Sequence, residues 1–187
     1  MITEKLYDKD SHIKAFTAKV IDCRKNENGF EIILDKTAFF PEGGGQYADT
    51  GKIGEADIND VQIINGEIVH YADRALNIGE ELCCEINWEQ RFRRMQNHSG
   101  EHIVSGIVHK LYGYENVGFH LGDDVTIDFD GELTREQLID VEKRANEAIY
   151  KNAKFTCEYP DEETLKNLSY RSKLELTENV RIVTVEG

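Results

Sequence analysis

Apolar and polar residues alternate between positions 14 and 35. Phe16, Ala18 and Val20 form one series and Phe30, Ile32 and Leu34 a second, with Asn26-Glu27-Asn28-Gly29 between them. A period of two on both sides of an Asn-Gly turn predicts a β-hairpin. Further short strands are expected around 61–64, 68–71 and 81–86, with a second tight hairpin at Asn65-Gly66. In the last of these, Leu82, Cys84 and Ile86 alternate with Cys83 and Glu85, so one cysteine of the pair faces inward and the other outward. Many short strands punctuated by turn residues, with no helical period among them, predict a small β-barrel.

The pattern changes near Trp88. Phe92, Met95, Ile103, Ile107 and Leu111 recur at intervals of three, four and eight, which predicts a helix over about 89–111, stopped by Gly113. Strands are expected at 117–121 and at 125–129, where Val125, Ile127 and Phe129 alternate with Thr126 and Asp128. Thr134, with Gln137 three residues on, reads as the capping box of a helix that buries Leu138, Val141, Ala145 and Ala148 and ends near Asn152. A strand at 155–158, a short helix from Pro160 to Leu168 and a last strand at 180–185 follow. Strands mixed with packed helices predict an α+β domain. The expected organisation is a barrel over residues 1–89 and an α+β domain over 90–187, with no internal repeat.

The 187 residues suffice for one large domain or two small ones. Lys and Arg total 22 against 36 Asp and Glu, a formal charge of −14, which repels nucleic acid at long range. Residues 1–90 carry 9 basic and 18 acidic side chains and residues 91–187 carry 13 and 18, so an RNA partner would need a local basic patch, more easily made in the second half. No apolar run approaches a membrane span, and Met1-Ile2-Thr3-Glu4-Lys5 lacks the apolar core of a signal peptide. The four cysteines, Cys23, Cys83, Cys84 and Cys157, show neither a Cys-x-x-Cys nor a disulfide framework. Reduced thiols in a cytoplasmic protein are the expectation.

Two stretches carry candidate chemistry. His98 and His102 lie four residues apart, which on a helix puts both rings on one face about 6 Å apart along the axis. Two imidazoles so placed can grip one Zn²⁺ and leave room for further ligands. The same spacing also fits a pair of core or surface histidines. It is not the zincin motif, since Ser99 stands where that motif needs Glu. The second stretch is Phe39-Phe40-Pro41-Glu42-Gly43-Gly44-Gly45-Gln46. Three consecutive glycines remove every Cβ, so a partner can approach the backbone, and their N–H groups can point at a carbonyl or phosphate. A flexible loop is the plainer alternative. A Walker A loop is excluded, because no Gly-Lys-Ser/Thr follows.

Together these stretches resemble a known family. Phe39 to Gln46 with Asp49-Thr50-Gly51 is similar to the glycine-rich motif of the alanyl-tRNA editing proteins of the AlaX type and of the editing region of alanyl-tRNA synthetases. Arg94-Met95-Gln96-Asn97-His98-Ser99-Gly100-Glu101-His102 resembles that family's His-x-x-x-His zinc motif. Leu133 to Ile149 resembles its long helix. Leu168-Ser169-Tyr170-Arg171 with Val180-Arg181-Ile182-Val183 resembles the approach to its second metal motif. The resemblance covers nearly the whole chain and suggests the medium-length class. It implies a translation-factor-like barrel, followed by the editing domain shared with threonyl-tRNA synthetases, with helices packed on an antiparallel sheet. The implied activity is zinc-dependent hydrolysis of Ser-tRNA(Ala) or Gly-tRNA(Ala), with the acceptor end of tRNA(Ala) as partner. Two other classes stay open: a non-catalytic module binding tRNA or a synthetase, and a zinc hydrolase of small esters or amides.

The resemblance implies roles residue by residue. His98 and His102 would hold zinc, completed in the family by a Cys-x-x-x-His that this sequence does not contain before Gly187. Either the chain is truncated or half the site is lost, with Cys157 as a candidate substitute. On two histidines the site is expected to be open and weak. Gln46 and His120 are expected to contact the aminoacyl group or the terminal ribose, and Gly43, Gly44 and Gly45 to let it approach. Arg91, Arg93 and Arg94 form the one basic cluster near the site and are expected to meet acceptor-stem phosphates. Glu101 is expected to face solvent and His109 to be structural. Asp128 and Thr126 share a strand face that is expected to edge the site. Zinc would either activate water or orient the amino acid, and the sequence leaves both open.

Overall fold

The computed structural model describes residues 3–43, 45–121, 124–168, 180 and 182–185. Gly44, the stretch 169–179 and Arg181, named above for the motifs they carry, lie outside the described residues. The chain divides into two compact units, residues 1–98 with 118–127, and residues 99–117 with 128–187.

In chain order the strands of the first unit are β1 (Glu4–Lys5), β2 (Ala15–Lys25), β3 (Phe30–Leu34), β4 (Lys36–Thr37), β5 (Gly51–Ile53), β6 (Ala56–Ile64), β7 (Glu67–Ala72) and β8 (Glu81–Ile86). Six of them close a barrel in the order β2-β3-β7-β6-β5-β8, antiparallel throughout. Closure removes the unpaired edges that a sheet of short strands would otherwise expose. The two-residue period decides which side chains fill it. Val20, Ile32, Leu34, Ile53, Val61 and Cys84 are at most 1% exposed. The expected in–out split of the cysteine pair holds, with Cys84 buried and Cys83 exposed. Burial in this apolar interior, with the neighbouring Cys83 as a smaller contribution, pushes the Cys84 thiol up to about 12, so it stays protonated and inert. β5 was not expected. It is three residues long, too short to show a period, and it is held by Gly51, which packs so closely that an added Cβ would lie 2.1 Å from the Glu85 carbonyl oxygen.

Helix α1 (Trp88–Tyr112) follows, and Gly113, at φ +74°, ends it with its N–H on the His109 carbonyl. The expected stripe is only partly the buried one. Ile103 is buried, but Phe92 is 41% and Leu111 37% exposed. Phe92 instead stacks on Trp88, whose ring also carries the Lys14 ammonium 4.6 Å from its centroid. β9 (Asn116–Leu121) and β10 (Val125–Phe129) pair with each other. The division between the units falls within α1 and within this ladder.

In the second unit, helix α2 (Arg135–Tyr150) opens with the expected capping box, Thr134 and Gln137 each bonding the other's backbone N–H. Val141 and Ala145 are buried as expected, whereas Leu138 is 52% exposed. A helix of sixteen residues turns past one face, and Leu138 falls at the edge of the Val141–Ala145 stripe. β11 (Phe155–Glu158) pairs antiparallel with β12 (Ile182–Val185), and α3 (Glu162–Asn167), capped by Asp161, lies between them in sequence. Among the described residues the strands outside the barrel form two-stranded ladders rather than one sheet. No described helix is long and apolar enough to cross a membrane.

Candidate functional site

The glycine-rich stretch is a braced loop. Phe39 is fully buried in the barrel and anchors its start. Phe40 donates its N–H to Asp49 Oδ2 at 2.7 Å, and Asp49 returns its own N–H to the Phe40 carbonyl at 2.9 Å, closing the loop at its neck. At the tip Gly43 and Gln46 exchange backbone hydrogen bonds of 3.1 and 3.0 Å. The Gly43 N–H is therefore spent inside the loop, not aimed at a ligand as the sequence suggested. Gly45 sits at φ +81°, where a side chain is strained. A Cβ at Gly43 or Gly45 would meet nothing within 4 Å, so the glycines face open space and not a packed neighbour.

That space is a cleft of about 380 Å³ lined by Glu42, Gly43, Gly45, Gln46 and Tyr47 on one side and by Phe119, His120, Leu121 and Asp124 on the other. All belong to the first unit. His120 is exposed on β9 and lines the cleft.

The arginine cluster needs correction. Arg91 is 5% exposed and cannot reach a phosphate. Its guanidinium grips the Asp49 carboxylate, with Nε 2.9 Å from each oxygen, and donates to the carbonyls of Ser11 at 3.0 Å and Ala38 at 2.6 Å. A planar fork of donors suits such a clamp. Arg91 is thus a brace between the start of α1 and the neck of the glycine-rich loop. Arg94 is half-buried, donates to the Ala48 carbonyl and lies 5.4 Å from the Tyr47 ring centroid. Of the three, Arg93 is the one classed as exposed.

His98 Nδ1 lies 2.6 Å from the Gln46 amide nitrogen, and its ring stacks on Phe119 at 6.3 Å and 20°. One turn on, Glu101 does not face solvent as expected. Its side chain is 10% exposed. Oε1 accepts from Ser105 Oγ at 2.6 Å and from Asn116 Nδ2 at 2.5 Å, and Oε2 lies 3.5 Å from His102 Nδ1. The sequence carried a signal for this, since Glu101 and Ser105 share the i,i+4 spacing of the histidines. The ligand atoms of His98, Glu101 and His102 all lie within 4.8 Å of one another. The donor set fits a small divalent cation: two imidazoles and a carboxylate on adjacent turns of one helix, with the carboxylate fixed by two donors. Among the described residues no other such group is found, and Cys157, exposed on β11 opposite Val183, is not part of it. His109 Nδ1 lies 2.9 Å from Glu115 Oε1.

Residues 4–90 match the family model "tRNA synthetases class II (A)". The chain is 35% identical to an alanyl-tRNA editing protein AlaX-M of Methanosarcina mazei, over all of this chain (100%) and 81% of that protein. The chain belongs to the AlaX family of alanyl-tRNA editing proteins. It is also 33% identical to AlaX-L of Pyrococcus horikoshii, over 98% of this chain and 48% of that protein. With an alanine–tRNA ligase of Ignicoccus hospitalis it shares 35% identity over 99% of this chain and 22% of the ligase. The chain thus spans most of one AlaX relative, about half of another and under a quarter of the ligase. In this AlaX chain the two stretches that carry the resemblance meet where Gln46 contacts His98.

Proposed function

We propose that this chain is a trans-editing hydrolase that deacylates tRNA(Ala) mischarged with serine or glycine. The observation that carries the reading is the Gln46–His98 contact, which joins the wall of the cleft to the first histidine of the metal-type group. The names of the AlaX relatives supply the substrate class. In this reading residues 1–89 are a translation-factor-like barrel, residues 90–187 an editing domain, and the protein works in the cytoplasm.

Zinc is the cation proposed for His98 and His102, and when bound it supplies electrophilic polarisation or an activated water. The chain's own groups do the rest. Glu101 orients His102 through Oε2 while Ser105 and Asn116 hold Oε1. The cleft admits the aminoacyl end over Gly43 and Gly45, where no Cβ obstructs it. His120 contacts the aminoacyl group from the opposite wall, and Phe119 and Tyr47 offer apolar surface to the terminal nucleoside. Arg93 is the phosphate contact. Hydrolysis adds water across the ester and releases the free amino acid and the ribose hydroxyl.

The test is deacylation of Ser-tRNA(Ala), Gly-tRNA(Ala) and Ala-tRNA(Ala) beside a small seryl ester, with metal analysis of the same preparation. Hydrolysis of the first two with Ala-tRNA(Ala) spared is the expected result. Hydrolysis of the small ester alone would replace the reading with a general esterase. Binding of tRNA without hydrolysis by metal-loaded protein would make the chain a binding module.

A further inference from the structure

We propose that Trp88 and Phe92 form a stacking platform for an unpaired base of RNA, with Lys14 and Arg93 as the cations that meet its phosphates. The proposal rests on the tRNA reading above for the source of that RNA. It adds a surface apart from the cleft, since none of these residues lines the cleft.

The platform is assembled from two stretches of the first unit. Trp88 opens α1 and Phe92 stands one turn on, so helical spacing stacks the rings, with centroids 5.5 Å apart and planes at 27°. Lys14, from the segment before β2, holds its ammonium 4.6 Å from the indole centroid, and the His12 ring lies 6.0 Å away at 46°. Hydrogen bonds fix that segment against the helix start. The Ile86 N–H donates to the Lys14 carbonyl at 2.9 Å, and the Arg91 guanidinium to the Ser11 carbonyl at 3.0 Å. The Asn87 N–H, one residue before Trp88, donates to the Thr50 carbonyl at 2.8 Å. The rings are therefore held in place before any ligand arrives.

What stays open is a ring face. Phe92 is 41% exposed although Trp88 covers one of its faces, so the exposure lies on the other face and the edges. A base laid there extends the stack by one ring, and stacking accepts any base because every base has a π face. Charge selects RNA over an apolar protein partner. The chain carries −14 overall, so phosphate comes close only where cations stand unmatched. His12 is matched by Asp10, whose Oδ1 lies 3.6 Å from its Nδ1. Lys14 and Arg93 form no ion pair among the described residues, although Glu89 shares Arg93's side of α1. Arg93 is exposed and lies about 100° round the helix from Phe92. Aromatic rings with such cations beside them fit a nucleotide, base on ring and phosphate on cation.

Trp88 is the chain's single tryptophan, so its emission reports this surface directly. The experiment titrates the whole chain with unacylated tRNA(Ala) and with a short single-stranded RNA, following Trp88 emission and the anisotropy of the labelled RNA. Both RNAs should quench Trp88 as they bind. Phe92→Ala should weaken binding about tenfold without changing the salt slope, because it removes a ring and no charge, whereas Phe92→Tyr should bind like wild type. Lys14→Ala should instead reduce the slope, by about 0.7 on the single strand. Unchanged Trp88 emission in a saturated complex, or wild-type affinity in Phe92→Ala, overturns the platform. So does quenching that grows with protein concentration in the absence of RNA, which would make the surface a contact between copies of the chain. Deacylation measured alongside separates the two readings. Hydrolysis of Ser-tRNA(Ala) with Trp88 unperturbed removes the platform and leaves the editing reading. Quenching by RNA without hydrolysis by metal-loaded protein removes the editing reading and leaves the platform.

Discussion

The polar groups enclosed with the barrel and those partly exposed along α1 are built from the same residue types and behave in opposite ways. His70 is fully buried. Its Nδ1–H donates to the Ile32 carbonyl at 3.0 Å, and its Nε2 accepts from the Thr37 hydroxyl at 2.8 Å, whose oxygen in turn accepts the Phe39 N–H at 3.1 Å. Burial in the barrel keeps the ring neutral, and with Nδ1–H on the carbonyl its Nε2 can accept from the hydroxyl. His98 and His102 are half-buried, and one of them faces a carboxylate. The arginines divide likewise: Arg91 is enclosed on four acceptor atoms and Arg93 faces solvent. Satisfied burial makes a group structural. Partial exposure leaves a group within reach of a ligand.

The largest expected effect breaks the enclosed side of this comparison. Removing one member of a buried ion pair strands the other charge, at a cost of about 3–5 kcal/mol. Arg91→Met should lower unfolding stability by that order in urea titration, and Asp49→Leu should do the same. The double variant should recover much of the loss, because neither charge is then left alone. A stability close to wild type for Arg91→Met would mean that the clamp is not needed to hold the loop.

His70 gives the next effect, with a sign set by its environment. Burial, only partly offset by the bond to the Ile32 carbonyl, pushes its pKa down to about 4. The unfolded chain therefore binds the proton first, near the ordinary value of about 6.5. The contribution to stability is complete above pH 6.5 and is lost as pH falls toward 4, about 3 kcal/mol over that window. Unfolding measured from pH 7 to 4 should show this leg in the wild type, and a His70→Gln variant should lack it.

His102→Ala tests the exposed side. It should weaken zinc binding about 100-fold, roughly 2.7 kcal/mol, while the unfolding midpoint of the metal-free protein shifts far less than in Arg91→Met. A large loss of metal-free stability with zinc affinity intact would place His102 with the structural histidines.

Much of this division was legible in the chain and some of it was not. The barrel strands show as alternation because a half-buried strand writes a period of two, and the Thr134 capping box shows because its chemistry is local. The His98–His102 pair shows because helical spacing is fixed. The difference between Arg91 and Arg93 does not, because it depends on Asp49, forty-two residues before Arg91 and read only as part of the glycine-rich motif. Glu101 was misjudged for a similar reason: one of the two donors that bury it, Asn116, lies fifteen residues beyond it, past the end of the helix. Long-range partners of polar side chains leave no period in the sequence.

The smallest effect is the sharpest test of the arginine assignment. Each phosphate contact contributes about −0.9 to the slope of log affinity against log salt concentration on duplex, and about −0.7 on a single strand. Arg93→Ala should therefore reduce that slope by about one unit or slightly less and weaken tRNA binding by less than tenfold at moderate salt. The conservative Arg94→Lys keeps its charge but loses the planar fork that meets the Ala48 carbonyl and the Tyr47 ring, so it should leave the slope unchanged. Arg91 is silent in this measurement, since its charge is already matched by Asp49 out of reach of solvent. Binding curves for Arg93→Ala and Arg94→Lys from about 50 to 200 mM salt separate the cases. A wild-type slope in Arg93→Ala would remove Arg93 from the RNA interface and leave recognition to other groups.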